Sequence, residues 1–385
     1  MKSLNLLNRC TRIFLRLTVL LTQIFGVTFF VYDKKQQLFR QSWKLGSYGF
    51  VIFVVMLLHV LYCGIYALQK FRSLPIVVIF MGCNLLVLVV RLHVLINNKK
   101  CLGLLNEMQD MLVKLQLMAK HPNIFRLSHS LLLLLTVQNF LRSLTGIYDI
   151  GPEHKLKITA IYLFITSTIM LTFLLQITIN ICLLIVLIAC YDELRQSTKK
   201  ISKAVHTLRQ AQVLEGGQLF LLVEQLCGLT EDLISLRYQV HRLNVEIIKL
   251  FRFHWLCTFV YWLLPILLVP AVNRMVMYKH AISLMNIAFY CTIFEIFVWK
   301  SKLSKSFWHF HLINYHAEFD RTIERLFHQE IVQRIKVSIY GISLDMKFLF
   351  KIFSICETLK GQQQWATIPS NLEVEEVKTF LLTCF

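Results

Sequence analysis

The feature that most constrains the fold is a run of 34 residues without a charged side chain, between Lys157 and Asp192. As an α-helix this run would be about 50 Å long, whereas the hydrocarbon core of a bilayer is about 30 Å thick. We therefore expect a helix that crosses a membrane and either tilts or projects beyond it. The whole chain is 56% hydrophobic and only 16% charged, whereas soluble domains are about 25% charged.

Five further charge-poor runs predict transmembrane helices, because each has roughly the 20 apolar residues that a span needs. They lie at about 47–68, 74–96, 127–147, 253–273 and 280–299. A last candidate span begins near Val337 and stops at Glu357, and it brings the count to about seven. Residues 17–32 are apolar but only 16 long. We expect them to form an interfacial or re-entrant helix.

Basic residues predict the orientation of the spans. Lys and Arg alternate between the connecting segments, with 29 on one side of the predicted membrane and 6 on the other. Segments rich in Lys and Arg remain in the cytoplasm, so the N-terminus and residues 191–252 are predicted to be cytoplasmic. G-protein-coupled receptors have the opposite orientation, and the charges argue against that class.

These patterns predict an all-α membrane protein, a seven-helix bundle with a cytoplasmic N-terminus and a helical cytoplasmic anchor. The anchor is predicted from apolar residues at helical spacing between charges in 97–126 and 191–252. The predicted organisation begins with an N-terminal cytoplasmic or interfacial segment at 1–46, spans 1–4 at 47–190 and a cytoplasmic helical loop at 191–252. It continues with spans 5–6 at 253–300, a second cytoplasmic loop at 301–336, an incomplete last span at 337–358 and an atypical polar tail at 359–385.

Motifs for enzymatic chemistry are missing from the sequence. It contains no phosphate-binding loop, no H-E-x-x-H zinc motif and no G-x-S-x-G serine motif. We therefore predict no enzymatic activity and no cofactor. His309, His311 and His316 lie close together in the sequence, but their spacings of two and five do not bring all three to one helical face. We predict no metal site.

The cysteines and the excess positive charge have simple structural explanations. Most cysteines fall inside apolar runs, and we expect them to be small buried residues, as at Cys63, Cys83, Cys182 and Cys257. The formal charge of +19 comes from the segments between the spans, so we expect contact with a lipid bilayer and not with nucleic acid.

Polar residues inside the spans are candidates for function, because an unpaired polar group in hydrocarbon is costly. We expect Arg91 to snorkel to the cytoplasmic surface and Glu295 to pair with a basic residue of the cytoplasmic layer. A small organic ligand is usually held in an apolar, aromatic cavity with a few polar groups. Residues of this kind share the outer half of the bundle, and each has helix packing as its alternative: Asn139, Arg142, Thr166, Trp262, Asn286 and Tyr290.

One stretch near the C-terminus resembles a known family. Gly341 is followed by the pair Leu344-Asp345 and by an apolar helical stretch ending at Thr358, which is similar to the start of the last span of insect gustatory receptors. The predicted orientation, the long span 4 and the Phe25-Gly26…Phe29 region before span 1 agree with that family. The resemblance implies a tetrameric, ligand-gated, non-selective cation channel in the plasma membrane of sensory neurons.

That resemblance also implies the channel's partners and ligand. The subunit would form a homo- or hetero-tetramer with other gustatory receptor subunits, and a small organic tastant, bitter or aversive, would open it. The pocket would lie among the outer halves of spans 2–6, and the last span of each subunit would line the pore.

The chain departs from the family after Thr358. The expected Tyr, apolar run and Gln-Phe are replaced by a polar tail that begins at Leu359. Our hypothesis is that the family's final coding segment is replaced here by retained intron sequence or by an alternative or mispredicted last exon. A single native transcript ending as printed, in a protein that still conducts, would contradict it. An odorant-receptor relative, a polytopic transporter and a truncated non-conducting isoform remain as alternatives.

Overall fold

The computed structural model describes residues 2–354 with gaps at 34, 37, 71–73, 120–123, 149–159, 211–215, 269–273, 303–316, 333–337, 340–341, 344–346, 349 and 353. Its helices are α1 Lys2–Ile24, α2 Trp43–Lys70, α3 Leu74–Ala119, α4 Leu127–Tyr148, α5 Ala160–Gln210, α6 Gly216–Leu268, α7 Arg274–Ser301 and α8 Ala317–Val332. Its strands form two short antiparallel hairpins, β1 Phe30–Asp33 with β2 Leu38–Gln41, and β3 Ser338–Ile339 with β4 Ile342–Ser343.

The described helices include five stretches that are long and apolar enough to cross a membrane. They are Trp43–Tyr62, Met81–Ala119, Ser167–Val205, Leu221–Leu267 and Met277–Ser301. With 22 residues, α4 is about 33 Å long and reaches across a hydrocarbon core as well. The fold is an all-α membrane protein, as predicted.

Three helices are far longer than a span. The helices α3, α5 and α6 have 46, 51 and 53 residues, or about 70–80 Å each. The charge-free run from residue 160 to Asp192 and the charged segment after it lie in one helix, so the predicted elongation of span 4 is confirmed. We call the charged ends of these helices, residues 97–119, 191–210 and 216–251, the basal layer. Helix α8 packs against α6 within it.

Helix α5 is the centre of the bundle. It contacts α1, α2, α3, α4, α6 and α7, and 89% of the most apolar 18-residue stretch within Ser167–Val205 is buried. The most apolar 18-residue stretch of α2 is only 22% buried, which leaves an apolar face available to lipid. Cys83, Cys182 and Cys257 are buried as expected, and the side chain of Cys63 lies outside the described set.

The N-terminal segment folds differently from the prediction. The helix does not extend to residue 32, because α1 ends in a Schellman motif in which Val27 N–H donates to Thr22 O and Gly26 N–H donates to Gln23 O. Gly26 takes a positive φ of 62°, which suits glycine. Strand β1 follows it, so the helical prediction for residues 17–32 is correct up to Ile24 and wrong beyond it.

A hairpin and a serine cap lead from this segment into α2. Phe29 lies directly before strand β1, and Ser42 N–H donates to Phe29 O at 2.8 Å. The Ser42 hydroxyl then accepts from Leu45 N–H at 3.4 Å, which caps the first turn of α2. The segment therefore closes back on the start of the first span.

The start of the last predicted span is a hairpin. Residues 338–339 and 342–343 pair as strands, and helical backbone is described only at 347–348, 350–352 and 354. The segment expected to begin near Val337 therefore opens with a hairpin, and described helical backbone follows from residue 347. The family-motif residues Gly341, Leu344, Asp345 and Thr358 lie outside the described residues, as does the tail.

Candidate functional site

Two of the six predicted ligand residues form an aromatic contact between α6 and α7. The rings of Trp262 and Tyr290 lie 5.3 Å apart at 62°, and Phe259 contacts both of them edge-on. The Tyr290 hydroxyl donates to the Ile177 carbonyl of α5 at 3.3 Å. Both predicted aromatic residues are almost fully buried, so they join the three central helices.

Three more of the predicted residues lie together between α4 and α7. Arg142 donates to the Asn139 side-chain oxygen and its other terminal nitrogen lies 3.5 Å from Met285 Sδ. Asn286 Nδ2 donates to Ser143 Oγ at 3.3 Å, and that hydroxyl donates to Asn139 O at 2.9 Å. Ser143 is thus a member of the cluster that sequence reasoning missed.

Helix α7 connects the polar and the aromatic groups. Asn286 and Tyr290 are four residues apart and share one face of α7. Five of the six predicted residues therefore form a continuous strip across α4, α7 and α6, which we call the polar–aromatic strip: Asn139, Arg142, Trp262, Asn286 and Tyr290. The side chain of Thr166 lies outside the described set.

The strip combines chemistry that suits a neutral or weakly anionic organic molecule. It offers amide and hydroxyl groups, one guanidinium and two aromatic rings in edge-to-face contact, within apolar surroundings. The amides and the guanidinium bond to one another in this structure, so a ligand there would exchange those bonds for its own. Among the described residues no group of three potential metal-ligating side chains occurs.

A buried ionic network lies where the spans meet the basal layer. Asp192 of α5 accepts from Lys300 of α7 at 2.7 and 2.8 Å and from His129 of α4 at 3.0 Å. Beside it, Arg126 donates to Glu193 at 3.0 Å. The signal in the sequence was the acidic pair directly after the long uncharged run, because a carboxylate at such a place requires partners.

His129 has a second role at the start of α4. Its Nδ1 accepts from the backbone N–H of Arg126 at 3.1 Å, three residues earlier, which resembles the reciprocal bond of a capping box. The imidazole thus fixes the first turn of α4 while its Nε2 holds Asp192. The network ties α4, α5 and α7 together at the basal side of the strip.

Arg91 is fully buried in α3, and the expectation that it snorkels to the surface is wrong. The returning N-terminal segment covers it, with the guanidinium 5.3 Å from the centre of the Phe29 ring. The Phe29 ring itself packs directly on Gly49 of α2, where a Cβ would lie 2.0 Å from it. None of the three guanidinium nitrogens has a hydrogen-bond partner among the described residues.

Glu295 does not make the predicted ion pair within the described residues. It lies exposed on α7, whereas the basic residue of that helix end, Lys300, pairs with Asp192. The expected pairing of Glu295 with the basal layer is therefore not seen among the described residues. Its carboxylate faces outward from the bundle.

Comparisons with known proteins place the chain in a family. Residues 15–356 match the family described as 7tm chemosensory receptor. The protein Gustatory receptor-like 65a of Drosophila melanogaster is 46% identical over 360 residues, which cover 92% of this chain and 96% of the relative. This is a family of receptors and not of enzymes. The resemblance of the chain to insect gustatory receptors is confirmed, and the chain belongs to the seven-transmembrane chemosensory receptor family.

Proposed function

We propose that the chain is a gustatory receptor subunit that forms a ligand-gated, non-selective cation channel and detects a small organic tastant, bitter or aversive. The observation that carries the proposal is the family match over residues 15–356, together with the 46% identity to a protein named as gustatory-receptor-like. The bundle's long helices and buried polar strip are consistent with this role.

The ligand site of the proposal is the polar–aromatic strip, with Thr166 as its sixth member. A ligand oxygen replaces Asn139 as the acceptor for Arg142, while an apolar body stacks against Trp262 and Tyr290. Asn286 supplies a further amide donor. A ligand that removes the internal hydrogen bonds without replacing them would bind weakly, because buried polar groups left unpaired are costly.

Gating in this proposal acts through α7. The strip lies on one half of the helix at Asn286 and Tyr290, and the other end is held by Lys300 on Asp192. Ligand binding shifts the strip side of α7 against α5 while the ionic network keeps the basal end fixed. The movement then reaches the pore, which the last span of each of four subunits lines.

Assembly with other subunits is supported by Glu295. An exposed carboxylate within a membrane span is costly when it faces lipid, and a neighbouring subunit would supply a polar contact. We place the tetramer in the plasma membrane of sensory neurons, with the N-terminus and the basal layer in the cytoplasm. The basic residues of the connecting segments support that orientation.

The experiment that tests the proposal is voltage-clamp recording from cells expressing the chain, alone and with a related receptor subunit, during application of a panel of small tastants. We expect a cation current for at least one compound. Asn286→Leu raises the half-maximal concentration about fivefold, since one hydrogen bond is worth about 1 kcal/mol. Thr292→Val, at an exposed position of the same helix, is the matched control and leaves it unchanged.

Three results distinguish a homomeric channel, a heteromeric channel and a non-conducting subunit. Current from the chain alone supports a homomeric channel, and current only with the related subunit supports a heteromer. Surface-expressed protein that gives no current in either arm, across the panel, contradicts the channel proposal and favours a non-conducting subunit.

A further inference from the structure

A second site lies away from the polar–aromatic strip, in a cavity of about 60 Å³ between the N-terminal segment, α3, α5 and α6. Val27 and Phe30 form one wall, and Leu105 and Phe251 lie opposite on α3 and α6. The lining is almost wholly apolar. The cavity sits where the spans meet the basal layer.

Two buried amide side chains on α5 contribute to the polar part of that lining, together with Thr28 and Asn98. Gln176 and Asn180 are four residues apart on one helix face, each about 95% buried. Among the described residues, Gln176 Nε2 has no acceptor and Asn180 Oδ1 has no donor. A buried amide without a partner costs about 1–3 kcal/mol, so a ligand that pairs with these two atoms gains that energy on binding.

The chemistry of the two atoms favours a functional group that both donates and accepts a hydrogen bond. Gln176 Nε2 is a donor and Asn180 Oδ1 is an acceptor. A hydroxyl group serves both at once, because its oxygen accepts and its proton is donated. An ether satisfies only Gln176, and a hydrocarbon satisfies neither.

Size selects the rest of the ligand. A cavity of about 60 Å³ accommodates about four to six water-sized spheres. That space suits a compact molecule of fewer than about ten non-hydrogen atoms and is too small for a sterol or a phospholipid. The apolar walls favour a hydrocarbon body.

We propose that this cavity is a binding site for a small neutral alcohol, whose hydroxyl bridges Gln176 and Asn180 and whose hydrocarbon body fills the space between α3, α6 and the N-terminal segment. The site differs from the proposed tastant site but shares a turn of α5 with it. Ile177, the neighbour of Gln176, accepts the hydroxyl of Tyr290, and side chains at successive positions of a helix point about 100° apart. A ligand in the cavity therefore contacts the same turn of α5 that accepts the hydrogen bond of Tyr290.

The test is direct binding to the full chain in nanodiscs of deuterated lipid, measured by saturation-transfer NMR with empty nanodiscs subtracted. The probes are 1-hexanol, methyl pentyl ether and heptane, which have equal numbers of non-hydrogen atoms. We expect 1-hexanol to bind about three- to tenfold more tightly than the ether, and heptane to bind most weakly. Equal affinities for the three probes would overturn the proposal.

Variants assign the two hydrogen bonds separately. Asn180→Leu removes the acceptor, so it reduces 1-hexanol binding to the level of the ether and leaves the ether unchanged. Gln176→Leu weakens both. Asn244→Leu is the matched control, because Asn244 is another fully buried amide without a described partner and does not line the cavity.

Two further measurements test the site separately from protein folding and from channel activity. Leu105→Phe fills the cavity and abolishes specific binding of 1-hexanol, and unchanged binding would place the alcohol elsewhere. The comparison of probes on the unmodified chain stands even when a variant misfolds. Since binding is read without current, a chain that binds 1-hexanol but never conducts supports this site and contradicts only the channel proposal.

Discussion

Replacing Asp192 with asparagine tests how much the buried ionic network stabilises the bundle. Asp192→Asn keeps the shape of the side chain but removes the charge opposite Lys300, which is only 19% exposed. A buried pair that loses one partner costs about 3–5 kcal/mol, because the remaining charge is uncompensated. We expect a loss of that size, since two bonds of 2.7 and 2.8 Å join the groups.

The magnitude translates into a measurable shift of the unfolding midpoint. At about 2.1 cal/mol/K per residue, the unfolding entropy of a chain of 385 residues is about 0.8 kcal/mol/K. A loss of about 3–5 kcal/mol therefore lowers the midpoint by about 4–6 °C. The assay is thermal unfolding of the purified protein in detergent, followed by intrinsic fluorescence.

Two further variants separate the network from a general effect of charge removal. Glu107→Gln breaks the exposed pair that Arg242 makes with Glu107 at 3.2 Å, also between two helices, and costs under about 1 kcal/mol. Combining Asp192→Leu with Lys300→Met removes both charges and restores most of the stability. Equal losses for Asp192→Asn and Glu107→Gln, or no recovery in the double variant, would refute the reasoning.

Three other perturbations follow from the structure. Gly49→Ala brings a Cβ into the Phe29 ring and costs about 1–3 kcal/mol of unfolding free energy. Gly46→Ala is the control, because open space surrounds Gly46 and the change is neutral or stabilising. Equal unfolding midpoints for the two variants would contradict the packing of Phe29 on Gly49. Arg91→Met removes a buried cation without a described counter-charge, so the midpoint of thermal unfolding stays unchanged or rises. A fall of several degrees would show that the guanidinium has a stabilising partner. An N-terminal epitope tag is expected to bind antibody only in permeabilised cells, while an N-glycosylation site inserted in residues 148–157 is expected to be modified; the reverse pattern would invert the proposed orientation.

The membrane helices were predictable because their signal is local. A charge-free run of about 20 residues predicts a span wherever it occurs, and the run before Asp192 also predicted that α5 is too long for the bilayer. Helical periodicity among charges predicted the continuation of α3, α5 and α6 into the basal layer. None of these inferences needs knowledge of which residues meet in space.

Arg91 shows what local reasoning misses. Its position near the end of a span favours snorkelling, but the cover over it comes from Phe29, about sixty positions earlier in the sequence. That cover depends on the left-handed turn at Gly26, which reverses the chain. A pattern within α3 holds no information about a segment that returns from the N-terminus.

The candidate site was predictable in its residue types more than in its geometry. Asn286 and Tyr290 share a helix face by spacing alone, and an aromatic residue at 262 was a reasonable neighbour. Ser143 was missed because a serine in an apolar helix is usually a packing residue. The pairing of Asp192 with Lys300, over a separation of 108 residues, required the parallel arrangement of α5 and α7.

The most direct test of the central proposal is current across a planar bilayer that contains only the purified chain and lipid. We predict cation-selective single-channel openings that appear when an activating tastant is added and disappear when it is removed, and that need a higher tastant concentration in Asn286→Leu. A folded, correctly inserted protein that binds the tastant without any change in conductance would contradict a ligand-gated channel formed by this chain.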